Sequence, residues 1–372
     1  MVRSIVRIGV LTGGGDAPGM NAALKALVYR ASECNAEVVG LYDGWEGLLG
    51  STPPEVLALD RARVRLWDRE AGSNLGCTRT NPFRVERGDR REDCSREILS
   101  NINTLGLDAL VVIGGRDTLG AAQRMHTLGV PIVVVPKSID LEVGATDYAI
   151  GFDSALRNCT EIIANSRSSA GARRWVQVVE VVGRRAGHLA LWGGLAGGAQ
   201  MILLPELPFS LEKVYALLDA RLSVERGRSG RNPRYATVVV AEGACAEGMH
   251  EVLVDAAPDA YGASQLGGVG ALLAERLRQD MGVDARSVAL GHPLRGGVPT
   301  SLDRVMAHRL ASAAVDACRV GAFGQMVSAV STLPYGTVRY VPLPDVLAAP
   351  CNVNIARDYD SDRYFAQRAL AP

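Results

Sequence analysis

Short, almost fully apolar runs rich in β-branched residues recur along the chain, and this is its most restrictive feature. Several are separated by segments of helical length and pattern, such as Asn21–Ala31 and Thr118–Leu128. Continuous hydrophobic strands that alternate with helices are typical of a parallel sheet covered on both faces. The fold class expected is therefore α/β. The predicted strands are Val6–Leu11, Val38–Tyr42, Ala109–Ile113, Ile132–Val135, Val176–Val182 and Thr237–Val240.

Glycine-rich turns follow two of these runs and lead into helices. The segment Ile8–Ala23 reads I-G-V-L-T-G-G-G-D-A-P-G-M-N-A-A, and Val111–Gly120 reads V-V-I-G-G-R-D-T-L-G. Glycine lets the backbone turn close to a ligand, and a helix N-terminus favours an anion. The first turn has neither the Lys-Ser/Thr of a P-loop nor G-x-G-x-x-G spacing. Ligands of such sheets bind at the carboxyl ends of strands, where both turns lie.

A third strand end, Val133–Glu142, carries two carboxylates. Asp140 and Glu142 are two residues apart, which in an extended segment places both on one side. One of them is suited to accept a proton while the other holds a metal ion. Two solvated acids in a turn are the alternative, and the local sequence alone favours it.

Three further strand ends lie in the second half of the chain. They are Val178–Arg184, which ends in Gly183 and Arg184, the run Val240–Gly243 with Glu242, and Ala289–Gly297 with His292 and Arg295. The arginine fork suits phosphate oxygens, and histidine can donate to them. Together with the glycine turns, these residues make a phosphate-binding cleft the leading hypothesis.

Composition narrows the function classes. Forty basic residues balance forty acidic ones, so charge supplies no argument for a nucleic-acid partner or a membrane surface. Seven dispersed cysteines without a C-x-x-C pair indicate reduced thiols in a cytoplasmic protein. The N-terminus leads directly into a strand, unlike a signal peptide. The apolar stretch Leu189–Pro205 is broken by glycines and is interpreted as a buried helix and loop.

Two arginine-rich stretches interrupt the strand-helix pattern. Arg79–Arg96 and Arg221–Arg234 are poor in apolar residues. A solvated surface loop is the favoured interpretation of both, because loops are polar and mobile. A basic lid over an anionic ligand is the alternative.

The motifs resemble those of the phosphofructokinases, over nearly the whole chain from Ile8 to about Val327. The resemblance is carried by G-G-D-A-P-G-M-N, L-G-x-x-R-T-N-P, T-D-Y-A-I-G-F-D-S-A, V-V-E-V-V-G-R and L-G-H-P-L-R-G-G, in the same order. It implies two doubly wound domains with mainly parallel sheets and the active site in the cleft between them. It also implies a homodimer or homotetramer whose active sites borrow arginines from a neighbouring subunit.

The resemblance assigns roles to individual residues. Asp140 would be the base that takes the proton of the acceptor hydroxyl, and Arg184 would stabilise the transferring group. Ser138, Val182, Gly183, Glu242, Arg286, His292 and Arg295 would contact the sugar phosphate, and Gly15, Tyr42, Arg79, Gly115, Arg116, Asp117, Thr118 and Lys137 the donor. The donor domain would comprise residues 1–151 and about 293–343. The sugar-phosphate domain would comprise residues 152–292 and about 344–372.

Two positions distinguish donor types in this family. ATP users usually carry glycine at both, whereas pyrophosphate users carry aspartate and lysine. Asp117 and Lys137 match the pyrophosphate pair. Their larger, charged side chains would fill the space that the α-phosphate of a nucleotide needs, and the lysine would pair with phosphate charge.

The chain also departs from the family pattern. Arg116 stands where the family has a metal-binding aspartate, Val182 replaces a methionine, and Trp175 replaces the arginine that reaches the neighbour's sugar phosphate. We still expect Mg²⁺, with Glu142 and Asp117 as ligands, and an Arg116 charge that does part of the metal's work.

Three functions remain open at this stage. The first is a phosphotransferase that uses pyrophosphate, or ATP, and a ketose phosphate such as fructose 6-phosphate. The second is an ATP-dependent kinase or diphosphotransferase that acts on a different ketose phosphate. The third is a catalytically silent homologue that binds sugar phosphate. Retention of Asp140 argues against the third, because a silent protein does not need the base.

Overall fold

A computed structural model describes residues 6–50, 53–88, 90–224, 235–255, 257, 259–262, 264–330 and 336–355. The chain forms two compact units. The first comprises the described residues of Met1–Ser154, Asp259–Ala263 and Arg295–Cys351, and the second those of Ala155–Pro258, Ser264–Leu294 and Asn352–Pro372. The predicted domain boundaries, which place the second changeover at 293 and the third at 343, stay a prediction.

The first unit is built on a seven-stranded sheet. Its strands are β1 (Arg7–Thr12), β2 (Glu37–Leu41), β3 (Val56–Leu59), β6 (Ala109–Gly114), β7 (Ile132–Pro136), β14 (Gln325–Val330) and β15 (Thr337–Pro342), and a separate hairpin is formed by β4 (Val85–Arg87) and β5 (Arg90–Glu92). The sheet order is β15-β14-β7-β6-β1-β2-β3. The five inner strands pair in parallel, while β3 and β15 are antiparallel edges. The mainly parallel sheet confirms the predicted fold class.

Helices cover both faces of this sheet. They are α1 (Met20–Glu33), α2 (Ser95–Thr104), α3 (Arg116–Thr127), α8 (Ser301–Arg319) and α9 (Leu343–Ala348). One core cluster joins α1 and α8 to the sheet, and a second joins α2, α3 and α9 to its other face. Every residue of β6 is buried. Burial from both sides explains why the inner strands are continuous hydrophobic runs instead of alternating ones.

The second unit is built on a four-stranded parallel sheet in the order β13-β8-β10-β9. Its strands are β8 (Val176–Val181), β9 (Met201–Leu203), β10 (Ala236–Ala241) and β13 (Ala285–Leu290), with a hairpin of β11 (Leu253–Asp255) and β12 (Gln265–Leu266). Its helices are α4 (Phe152–Arg173), α5 (His188–Gly197), α6 (Leu211–Val224) and α7 (Val269–Met281). The first residues of α4 belong to the first unit.

Three sequence-based expectations need correction or a limit. Leu189–Pro205 is not helix and loop alone, because β9 follows α5 and pairs with β10. Arg79–Arg96 is not all loop, since it contains the β4–β5 hairpin and the start of α2. In Arg221–Arg234, residues 225–234 lie outside the described part of the chain. No helix within the described ranges is long and apolar enough to span a membrane.

Asp303 in the first turn of α8 is the main buried polar anchor of the first unit. Its Oδ1 accepts from Tyr148 Oη at 2.7 Å and from Gly151 N at 2.6 Å. Its Oδ2 accepts from the backbone N–H and the hydroxyl of Ser154, at 2.8 and 2.5 Å. Burial raises the pKa of this carboxyl, and the hydrogen bonds from Ser154 and Tyr148 oppose that shift. One side chain thus fixes the segment 148–154 against α8.

Asp303→Ala is expected to destabilise the protein by at least about 3 kcal/mol, because several buried donors lose their acceptor and each unmet donor costs about 1–3 kcal/mol. Urea denaturation of the variant measures the loss. Asp316→Ala, at a partly exposed carboxylate on the same helix, should change the free energy of unfolding by no more than about 1 kcal/mol. Equal effects of the two substitutions would contradict the role given to Asp303.

Candidate active site

The carboxyl ends of β1, β6 and β7 lie side by side, and the first two continue into glycine turns. Gly13 N donates to Ile113 O at 2.9 Å, and Gly14 N donates to Thr78 O at 2.8 Å. Gly14 has φ +81°, a conformation that favours glycine. The backbone of this loop is therefore tied to the neighbouring strand end and to the loop at residue 78.

Thr118 fills the space between the two glycine turns. A Cβ at Gly13 would lie 2.7 Å from the Thr118 side chain, and one at Gly114 would lie 2.5 Å from it. Thr118 is in the first turn of α3, whose N-cap is Gly115. The packing explains these two glycines sterically, and it brings the α3 N-terminus, with its unpaired N–H groups, to the same strand ends.

Lys137 directly follows β7 and is buried. Its Nζ donates to the carbonyl oxygen of Gly15, and a Cβ at Gly14 would lie 3.4 Å from Nζ. Burial lowers its pKa to about 8, and the nearby charge of Arg295 acts in the same direction. The lysine is thus packed against the predicted donor loop.

Asp140 and Glu142 follow in a tight turn organised by Ser138. Ser138 Oγ accepts from Asp140 N at 3.1 Å and from Glu142 N at 3.4 Å, and Leu141 between them has φ +54°. Asp140 is 6% exposed, so the interpretation of solvated acids in a turn is wrong for this residue.

The two carboxyls have pKa values raised by burial. The charges of Arg295 and Lys137 oppose the shift at Asp140, while Glu142 is raised to about 8, with further contributions from Asp140 and Asp117. Asp140 Oδ1 is buried and has no hydrogen-bond partner among the described residues. A buried acceptor without a donor leaves room for a proton that a ligand would bring.

Arg295 lies beside the donor loop. Its Nη1 donates to Asp16 O at 2.7 Å, and a Cβ at Gly15 would lie 2.8 Å from Nη1. The sequence grouped Arg295 with the sugar-phosphate residues, whereas the structure gathers it with Gly15, Lys137 and Asp140 in the first unit. Tyr42 directly follows β2, next to β1 in the sheet, and is half-buried.

Arg116 is not placed as predicted. Its Nη2 donates to Leu347 O at 2.8 Å, and its Nη1 lies 3.4 Å from Cys351 Sγ. The expected replacement of metal charge thus differs from the observed contact, because the guanidinium binds the last turn of α9. A Cβ at Gly144, two residues after Glu142, would also lie 2.7 Å from Ala349. Arg116 and the carboxylate turn are therefore both held against the segment around α9.

Asp117 pairs instead with Arg79. Arg79 Nη2 donates to Asp117 Oδ2 at 3.1 Å and lies 2.8 Å from Asp259 Oδ2. Sequence reasoning missed Asp259 and the neighbouring Tyr261. Their only local signal is the turn-like D-A-Y-G, which does not indicate what the turn contacts.

In the second unit, Glu242 is joined to the turn after β8. Its Oε1 accepts from Arg184 N at 2.6 Å and from Gly183 N at 3.2 Å. Arg184 has φ +49°, and a Cβ at Gly243 would collide with its carbonyl oxygen. The structure thus brings together three predicted residues. His292 follows β13, and Val182 N donates to Leu290 O at 3.1 Å, which places His292 at the same edge of the sheet.

Arg286 lies elsewhere. It is the second residue of β13, in register with Gln177 at the start of β8, and is about 13 Å along the strand from Leu290. Its guanidinium is 4.1 Å from the centre of the Trp175 ring and 3.3 Å from Asp284. The sequence grouped Arg286 with His292, but residues that begin and end a strand lie at opposite sheet edges.

The carboxylates were tested for their fit to the expected magnesium ion. The described residues contain no group of three or more His, Cys, Asp or Glu that could hold a metal. Mg²⁺, however, is commonly held by one or two carboxylates together with substrate phosphates. Glu142, whose charged form is disfavoured by its neighbours, and Asp117 fit that mode.

The lowered pKa of Lys137 predicts how stability depends on pH. Between about 8 and the ordinary 10.5, the unfolded chain binds more protons than the folded one, so the free energy of unfolding rises with pH. We expect wild type to gain stability relative to Lys137→Met from pH 8 to 10 in urea denaturation. Lys213→Met, at an exposed lysine of α6, is the control and should show no such trend. Parallel pH profiles for wild type and Lys137→Met would rule out the shift.

Comparison with known proteins identifies the family. The family model Phosphofructokinase matches residues 7–318. Pyrophosphate--fructose 6-phosphate 1-phosphotransferase of Amycolatopsis methanolica is 45% identical over 326 residues, 87% of this chain and 90% of that protein. ATP-dependent 6-phosphofructokinase of Chloroflexus aggregans is 40% identical over 324 residues, 87% of this chain and 86% of that protein.

A solved structure supports the fold. Pyrophosphate-dependent phosphofructokinase from Marinobacter aquaeolei superposes with a TM-score of 0.77, at 20% identity, over 99% of this chain and 92% of that chain. At that identity the likeness concerns the fold alone. The family model and the relatives in sequence carry the assignment further and confirm the resemblance seen in the motifs. The chain belongs to the phosphofructokinase family of phosphotransferase enzymes.

Proposed function

We propose that this protein transfers a phosphoryl group from pyrophosphate to a hydroxyl of a ketose phosphate such as fructose 6-phosphate. The observation that carries the proposal is the buried Asp140, whose Oδ1 has no partner among the described residues and which lies close to the charges of Lys137 and Arg295. A carboxylate so placed accepts a proton from a substrate hydroxyl.

Pyrophosphate is the proposed donor for two reasons. Lys137 packs on Gly14 and Gly15, where it reduces the room for a nucleotide and places positive charge beside the donor loop. The relative from Amycolatopsis methanolica, at 45% identity, is named for pyrophosphate, and the relative from Chloroflexus aggregans, at 40%, for ATP. The Lys137–Asp117 pair favours the former.

The proposed step needs little covalent work from the protein. The acceptor hydroxyl gives its proton to Asp140 while its oxygen forms a bond to the terminal phosphorus, and the bond from that phosphorus to the bridging oxygen breaks to release phosphate. Gly13–Gly15, Gly115–Thr118, Arg79 and Lys137 would hold and orient the donor. Arg184 would stabilise charge on the transferring group. Mg²⁺, held by Glu142 and Asp117, would neutralise part of the polyphosphate charge.

The sugar phosphate would be bound by Ser138, Val182, Gly183, Glu242, His292 and Arg295. The placement of Arg286 at the opposite sheet edge supports its action on a neighbouring subunit's site, in a cytoplasmic homodimer or homotetramer. In this proposal residues 1–151 and about 293–343 bind the donor, and residues 152–292 and about 344–372 bind the sugar phosphate.

A second candidate is an ATP-dependent kinase or diphosphotransferase acting on a different ketose phosphate. It is favoured by one observation in particular, the Trp175 ring stacked on Arg286 where the family pattern has an arginine. An aromatic ring there removes one positive charge from the phosphate contact. A silent homologue is disfavoured by the buried, unpaired Asp140.

The donor assignment is tested with purified protein, fructose 6-phosphate and Mg²⁺. We expect kcat/KM with pyrophosphate to exceed that with ATP by at least about tenfold, equivalent to about 1.4 kcal/mol. Replacing Lys137 and Asp117 together by glycine should shift the ratio towards ATP, because it clears space and charge at the donor loop. A wild type that uses ATP and ignores pyrophosphate would move the second candidate to first place.

Asp140→Asn is expected to lower kcat by about 10²–10⁴-fold, the range for a positioned general base, with a much smaller change in KM. Steady-state kinetics with both substrates measures the loss. Asp147→Asn, at an exposed carboxylate seven residues later, is the matched control and should leave kcat unchanged. Near-normal turnover of Asp140→Asn would remove the base from the mechanism.

A further inference from the structure

The short segment Asp259–Gly262 belongs to the first unit, although the residues that flank it along the chain belong to the second. It is fastened beside Arg79. Tyr261 Oη donates to Thr80 O at 3.0 Å, and Asn81 Nδ2 donates to Ala260 O at 3.4 Å. Both contacts are to the two residues that directly follow Arg79. Burial, together with the charge of Asp117, raises the pKa of Tyr261, so its hydroxyl keeps the proton that it donates.

Asp259 adds a charged contact to these two. Arg79 Nη2 lies 2.8 Å from Asp259 Oδ2 and 3.1 Å from Asp117 Oδ2, so a single nitrogen of the guanidinium serves both carboxylates. Nε and Nη1 of Arg79 form no hydrogen bond with the described residues. Three N–H groups of a fixed guanidinium are therefore left for an anion, and such a planar fork suits phosphate oxygens.

We infer that Asp259 is a positioning residue of the donor site, a role that rests on the proposed function. It holds one end of the Arg79 guanidinium so that the remaining N–H groups stay available to the polyphosphate. Tyr261 and Ala260 hold the backbone on which this pairing depends. Asp259 thus acts on the donor through Arg79 and touches no substrate itself.

Two bland alternatives make different predictions. An ordinary surface ion pair contributes about 0–1 kcal/mol to stability and nothing specific to one ligand. A competing carboxylate would weaken polyphosphate binding, so its removal would tighten the complex. Positioning is favoured because Asp259 binds only Nη2, which leaves the other donors of Arg79 accessible without breaking the pair. Arg79 is also 45% exposed, so an unrestrained side chain would lose considerable rotamer freedom on binding.

The experiment measures pyrophosphate binding to the full chain by isothermal titration calorimetry in Mg²⁺ at about 0.15 M ionic strength, where exposed charges are screened within about 8 Å. Asp259→Asn should raise the pyrophosphate Kd about three- to tenfold, the size expected for ordering one long side chain. Its KM for fructose 6-phosphate should not change. Tyr261→Phe, which keeps the ring and loses only the bond to Thr80, should act in the same direction with a smaller effect.

A double-mutant cycle isolates the route through Arg79. In an Arg79→Ala background, Asp259→Asn should change the pyrophosphate Kd by less than about twofold, since the group on which it acts is gone. Asp316→Asn removes the partner of another arginine, Arg30, in the same unit and is the matched control, with Kd expected as in wild type.

The outcomes separate this inference from the proposed function. If wild type binds pyrophosphate and Asp259→Asn binds it equally or more tightly, the positioning role is wrong while the proposed function stands. An undiminished effect of Asp259→Asn in the Arg79→Ala background would also overturn it. If wild type binds neither pyrophosphate nor ATP, the proposed function fails and the inference fails with it.

Discussion

Parallel pairing of β1, β6 and β7 is the constraint on which the candidate site depends. Parallel strands end at one edge, so the turns after them must share the same space. Thr118 packs between two of these turns, and only glycine at positions 13 and 114 leaves it room. The same edge collects unpaired helix N–H groups and strand-end backbone, and these favour anions. Phosphate chemistry at this edge follows from sheet topology before any side chain is considered.

Burial of charge at that edge sets the chemistry. Lys137 is driven towards its neutral form, and Asp140 and Glu142 towards protonation, because each has lost water. Ligand charges can offset these costs: phosphate anions favour the charged lysine, and a divalent cation favours the carboxylates. The resting site is therefore electrostatically incomplete in a way that its proposed substrates complete. Asp303 contributes rigidity behind it, since the segment 148–154 that it anchors pairs with Lys137 and Ser138.

The departures from the family pattern have different physical meanings. Arg116 is used for a contact with the end of α9, so the charge reversal at the metal position contributes to packing of the carboxylate turn as well as to electrostatics. Trp175 is stacked on Arg286 at the far edge of the second sheet and changes a contact that the proposal assigns to a neighbouring subunit. Asp117 is shared between the proposed metal and Arg79, which links donor charge to the segment at Asp259.

The sequence by itself determined the α/β class, the inner strands, the glycine turns and the family, because these depend on periodicity and on motifs local in the chain. It also indicated Asp140 and Glu142 as a pair, although whether they were solvated or buried depended on packing. Only tertiary structure decided that Arg116 binds Leu347 O, that Arg295 lies beside Gly15, and that Arg286 is remote from His292. Asp259 is the clearest case: it meets Arg79 across 180 residues of chain, and no local pattern records a contact made by folding alone.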